Sequence, residues 1–81
     1  MKTNKDFLEQ HGWEITDIRF AAYAEARKEI GESHVTLYLN HNTYEVVDVW
    51  VANNYGGAPA ELTASQMCTL IALFSELKFN V

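Results

Sequence analysis

Eighty-one residues, 48% of them hydrophobic and 21% charged, make one small globular domain spanning residues 1–81, too apolar to stay disordered. Six Lys plus Arg against eleven Asp plus Glu leave a net charge of −5. No apolar run reaches the ~18 residues of a membrane helix, and Met1-Lys2-Thr3-Asn4-Lys5-Asp6 lacks the apolar core of a signal peptide. The single Cys68 excludes an internal disulfide and fits a reducing, cytoplasmic setting.

In chain order, a short helix is expected over 5–10. Thr3 or Asn4 can cap it, Asp6 lies in its first turn and Gly12 can end it, with Phe7, Leu8 and His11 facing inward. Segment 16–30 is ambiguous. Its propensity is helical, with Ala21, Ala22, Ala24 and Ala26 among good helix formers, Thr16 as a cap and Gly31 as a stop. On a helical wheel, however, its charges spread all round. As a strand, Ile18, Phe20, Ala22 and Ala24 line one face, while Asp17, Arg19, Tyr23 and Glu25 line the other.

A hairpin follows, with strands over 34–40 and 43–53. A two-residue tip at His41-Asn42 would set Leu39 opposite Tyr44, Leu37 opposite Val46 and Val35 opposite Asp48, with Trp50 on that same face. The other face would carry His34, Thr36 and Tyr38 with Glu45, Val47, Val49 and Val51. A Gly/Pro-rich loop occupies 53–60. The last helix is predicted over 64–78. Thr63 and Gln66 form a capping box, Leu62 and Met67 a hydrophobic staple, and Met67, Leu70, Ile71, Phe74 and Leu77 an inward stripe, with Lys78 in the last turn.

The expected fold is therefore a small single α+β domain of order α-β-β-β-α, a three-stranded antiparallel meander with helices on one face. The alternative order is α-α-β-β-α. Double-stranded-RNA-binding domains share the first order but dock phosphates with a lysine-rich start to the last helix. Here that helix opens Thr63-Ala64-Ser65-Gln66-Met67-Cys68, with no base before Lys78, so the RNA-docking residues are missing.

The charges are divided along the chain. The 49 residues between Lys28 and Lys78 hold Glu29, Glu32, Glu45, Asp48, Glu61 and Glu76 but no Lys or Arg. That opposes direct nucleic-acid binding, which needs clustered bases, and suits a protein partner with a basic surface. No metal, cofactor or catalytic residue is assigned. His11, His34, His41 and Cys68 have no ligand spacing, and Cys68 beside the stripe reads as a small core residue. Asp48 interrupts an apolar strand. It is either a specific polar anchor for a partner or a catalytic acid, or the mark of a bulge or strand end that lets it out to water. Tyr55, between Asn and Gly pairs, has the chemistry of a recognition tip.

These features point to a non-catalytic protein-binding module, an inhibitor or accessory subunit of a larger protein. Its class analogy is the compact acidic proteins with which viruses block host enzymes. The expected contact residues are Tyr38, Glu45, Val47, Asp48, Val49, Asn54, Tyr55 and Glu61. The alternative is a self-associating homodimer, pairing through Tyr38, Val47, Val49 and Val51 or through a strand edge. A small-ligand enzyme is a further class, requiring a pocket with convergent polar groups.

Overall fold

Thr3 opens the first helix, α1 (Asn4–Gln10), with a capping box: its hydroxyl accepts the Asp6 N–H at 3.2 Å and Asp6 accepts the Thr3 N–H at 3.4 Å. A computed structural model describes residues 3–18, 20–56 and 61–80 of the chain. Gly12, at φ +82°, ends the helix, and Leu8 is buried beneath it. His11, expected inward, is exposed. The helix stops before it, so the inward periodicity lapses and its ring lies against Phe7, centroids 4.2 Å apart.

Four antiparallel strands follow in meander order: β1 (Glu14–Thr16), β2 (Ala24–Ile30), β3 (Ser33–Leu39) and β4 (Val46–Asn53). The expected three-strand meander is present, with a short β1 added at its edge. In segment 16–30 the strand reading holds for β2, whose Ala24 and Ala26 are fully buried. Strand pairing on both sides, to β1 and β3, satisfies its backbone and overrides its helical propensity. The strand starts later than the alternation implied. Ile18 and Phe20 sit in the connection 17–23, 55% and 95% exposed, and line no core face. Arg19 of the predicted strand and residues 57–60 of the predicted loop lie outside the described residues.

Gly31 and Glu32 form the tight turn between β2 and β3. A positive φ of +60° at Gly31 alone is the first-position glycine of a type II′ turn. A Cβ there would also lie 2.8 Å from Gln66 Nε2.

The β3–β4 connection differs from the two-residue tip. Asn40 and Glu45 close a longer loop, in which the Tyr44 N–H donates to the Asn40 carbonyl at 2.8 Å and Tyr44 adopts φ +58°. The register then shifts: Leu39 faces Val46, but Tyr38 faces Asp48, leaving Val47 as an extra residue. This bulge corrects the predicted faces. Val49 and Val51 turn inward, opposite Leu37 and Val35, so they are not a docking strip beside Tyr38. Asp48 and Trp50 turn outward with Tyr38 and Thr36.

The last helix, α2 (Ala64–Ser75), has its capping box between Thr63 and Gln66 (3.1 and 2.9 Å). Its buried row is rotated from the predicted stripe. Leu70 and Leu77 are buried and Leu73 and Phe74 half-buried, while Met67 and Ile71 stay 45% and 60% exposed. Cys68, read as core, is also exposed. The helix turns positions i, i+3 and i+4 from Leu70 inward, and Leu77, just past its end, joins the same core. It ends before Lys78, which instead belongs to an extended segment pairing with Val46. The Val46 N–H donates to the Lys78 carbonyl at 3.0 Å and the Asn80 N–H to the Val46 carbonyl at 2.9 Å.

One buried side chain ties the two ends of the chain to the hairpin. Asn4 Nδ2 donates to the Tyr44 carbonyl (2.8 Å) and the Lys78 carbonyl (2.9 Å), and Asn4 Oδ1 accepts the Lys78 N–H at 2.9 Å. Asn4→Ala removes the partners of the Tyr44 carbonyl and the Lys78 N–H and one of the two donors to the Lys78 carbonyl, and should lower the unfolding free energy by about 2–4 kcal/mol in urea titration, comparable to Leu37→Ala at about 2–5 kcal/mol. Asn4→Asp should not restore it, because a carboxylate cannot donate to the two carbonyls. Wild-type stability in Asn4→Ala would show that these hydrogen bonds are dispensable.

Candidate functional site

Both helices pack on one face of the sheet, and among the described residues no element covers the other. Strand pairing places the outward side chains of the open face in rows. One row runs Thr16, Glu25, Tyr38, Asp48; the next runs Glu14, Arg27, Thr36, Trp50; a third runs Glu29, His34, Ala52. Tyr23, just before β2, sets its ring edge-on to Tyr38 with centroids 6.3 Å apart. Trp50 is 59% and Tyr23 43% exposed. Among the described residues, the face thus combines three aromatic rings with Glu14, Glu25, Glu29 and Asp48, and Arg27 is its one Lys or Arg.

Asp48 also works on the strand edge. Because Val46 turns its backbone groups toward residues 78–80, alternation past the bulge turns those of Val49 and Val51 toward the open edge of β4. The outward Val49 N–H is taken by Asp48 Oδ1 at 2.8 Å. Asp48 therefore blunts the edge against strand pairing. Of the two readings weighed for this residue, the structure shows the bulge that turns it out to water.

The other expected contact residues are dispersed. Tyr38 joins Asp48 on the open face, and Val47 is exposed at the bulge. Glu45 lies half-buried in the β3–β4 loop, where Oε1 accepts the Thr43 hydroxyl at 3.2 Å. Asn54 and Tyr55 sit at the opposite end of the sheet. There Asn54 Oδ1 meets His34 Nδ1 at 2.8 Å, the Tyr55 N–H donates to Asn53 Oδ1 at 2.7 Å, and the Tyr55 hydroxyl reaches Glu32 at 3.5 Å. Glu61 is exposed before α2, and its carbonyl accepts the Ser33 hydroxyl at 3.3 Å. Trp50, Tyr23 and Glu25 also lie on the open face, where the two-residue tip would have put Trp50 inside. A carboxylate breaking the run Val46-Val47-Asp48-Val49 was the one signal of the shift.

A second polar cluster joins the 17–23 connection to the β3–β4 loop. Asp17 accepts His41 Nδ1 at 2.6 Å and the Tyr44 hydroxyl at 2.7 Å, while His41 Nε2 donates to the Ala21 carbonyl at 2.7 Å. Both histidine partners only accept, so the charged, doubly protonated ring satisfies the arrangement. The Ala21 carbonyl and then the Asp17 carboxylate hold His41 above the ordinary imidazole value, and the Tyr44 hydroxyl and then His41 hold Asp17 below the ordinary carboxylate value. With both ring nitrogens engaged, this Asp–His pair fastens the 17–23 connection to the β3–β4 loop.

Between α1, β2 and α2 lies a groove of about 570 Å³ lined by Phe7, Trp13, Ile30, Leu70 and Leu73, with Lys28 and Glu76 among its polar residues. The Lys28 ammonium caps the end of α1 by donating to the His11 carbonyl at 2.7 Å. Among the described residues, no group of three or more His, Cys, Asp or Glu is placed to hold a metal ion. No helix of the described residues is long and apolar enough to cross a membrane.

The clip between the loops has a defined pH signature. The raised His41 value means its contribution is complete below the ordinary 6.5 and fades as pH climbs through the folded value; the lowered Asp17 value means its contribution is complete above the ordinary 3.8 and fades as pH falls. The gap in denaturation midpoint between wild type and His41→Ala should therefore be widest near ~pH 5 and shrink toward ~pH 9. A gap independent of pH would contradict the charged clip.

No family model, no curated protein and no solved structure matches this chain.

Proposed function

We propose that the protein is a small, acidic, non-catalytic binding module that occupies a basic surface of a larger protein, as an inhibitor or accessory subunit. The observation that carries this reading is the uncovered sheet face, where Trp50 lies 59% exposed beside Tyr38 and Asp48. A sheet usually buries an aromatic-bearing face against another layer, and exposed Trp and Tyr on a rigid support are the residues that anchor interfaces. The surrounding carboxylates steer a basic partner and repel acidic surfaces, phosphate backbones included. The support is rigid, since all four strands contribute to it.

A second reading, self-association, rests on α2. Its twelve residues include none that is charged, and Met67 and Ile71 are exposed on it. Burying that stripe against a second copy would form a symmetric dimer. The strand-edge route to a dimer is disfavoured by the Asp48 guard on Val49 and by the Phe79 bridge at Val46.

Affinity capture from the native host with wild type and with Trp50→Ala/Asp48→Lys separates these readings. The module reading expects a protein held by wild type and lost from the variant, with Trp50→Ala alone weakening binding by roughly 30-fold. Retention by the double variant would contradict it. Sedimentation equilibrium at high micromolar concentration should give a monomer. A dimer that Met67→Glu dissolves would favour the second reading.

A further inference from the structure

We infer that the open sheet face holds a seat for an arginine side chain, presented by an extended basic segment of the partner, with the guanidinium lying on Tyr38 between Glu25 and Asp48. This inference rests on the module reading and names the chemistry that the face selects. Glu25 and Asp48 are the direct cross-strand neighbours of Tyr38 on its two sides, so each carboxylate stands about 5 Å from it at the Cβ level. A planar cation over that ring is therefore flanked by negative charge on both sides.

Tyr23, edge-on to Tyr38 at 6.3 Å and 66°, forms one wall. Trp50, diagonal to Tyr38 across β3 and β4, offers a second ring. Guanidinium is the cation that suits this geometry. It stacks flat on an aromatic ring, is weakly hydrated and donates to two carboxylates at once, whereas an ammonium is a compact and strongly hydrated point charge.

Among the described residues, Arg27 is the one Lys or Arg on this face, and it stands one row away from the seat, opposite Thr36 rather than Tyr38. Neither Glu25 nor Asp48 forms an ion pair among the described residues, where the His41–Asp17 pair is the one salt bridge. Asp48 Oδ1 is engaged by the Val49 N–H, which fixes the carboxylate and leaves Oδ2 for the ligand. Docking along the face, rather than pairing with the guarded edge of β4, follows from the same bond.

The test is fluorescence anisotropy of labelled hexa-arginine, hexa-lysine and hexa-glutamate peptides with the full chain at low and moderate salt. Hexa-arginine should bind most tightly, hexa-lysine more weakly and hexa-glutamate not at all. Tyr38→Leu or Trp50→Leu should each raise Kd for hexa-arginine about tenfold, and Glu25→Gln or Asp48→Asn about three- to tenfold. Tyr38→Phe, which keeps the ring, should stay within about twofold. Its retained affinity, with unchanged circular dichroism for Tyr38→Leu, separates loss of the ring from loss of the fold. Weakening by the carboxylate variants but not by the aromatic ones overturns the seat and leaves the module reading standing. Equal affinity for arginine and lysine peptides overturns the guanidinium assignment. Absence of binding to either basic peptide overturns the seat and removes the charge argument for a basic partner.

Discussion

The fold depends on the side chain of Asn4. It is buried in the first turn of α1, yet its three hydrogen bonds reach the hairpin loop at Tyr44 and the C-terminal segment at Lys78. An amide is the one side chain that can donate to two carbonyls and accept an N–H in the same place. Through it, helix, hairpin and C-terminal segment meet at one point. The Tyr44 carbonyl is held where that residue has a positive φ, and the Lys78 backbone is held where it can pair with Val46. In a domain this small, with a core of few large side chains, such a junction adds order that apolar burial alone would not supply.

The bulge at Val47 lies directly beside this junction, and the open face depends on it. Val46 is fixed from one side by Leu39 and from the other by the segment 78–80. One extra residue then lets Val49 and Val51 reach the core while Asp48 and Trp50 face water. A one-residue shift exchanges the two faces of a strand, so the character of the open face is set by backbone geometry in a loop. Had the hairpin turned at His41-Asn42, the tryptophan would be inside and a valine strip outside.

What was legible in the residues follows the range of the forces involved. The cap at Thr63 and Gln66, the end of α1 at Gly12 and the strand character of Ala24 and Ala26 depend on neighbours within a few positions, and all could be read from the chain. The register of β4 could not, because it answers to Asn4 and Lys78, far away in sequence. The three-residue β1 has too few positions for an alternation to show. The buried row of α2 was misplaced by a rotation, since Met67 and Ile71 have the right chemistry for a core but the sheet meets the helix along Leu70, Leu73 and Leu77. On the open face, Tyr38 was expected to point outward, Asp48 and Trp50 were placed on the wrong face by the register, and the Asp17–His41–Tyr44 clip had no local pattern to announce it.

The central claim is that the uncovered sheet face, and not the uncharged helix α2, is where the partner sits. Amide chemical-shift mapping of the isotope-labelled protein during titration with hexa-arginine tests it most directly. The account predicts shifts concentrated at Glu25, Thr36, Tyr38, Asp48 and the Trp50 backbone and indole, with α2 unmoved. Shifts confined to Met67 and Ile71, or absent from Tyr38 and Trp50 at saturation, would contradict it.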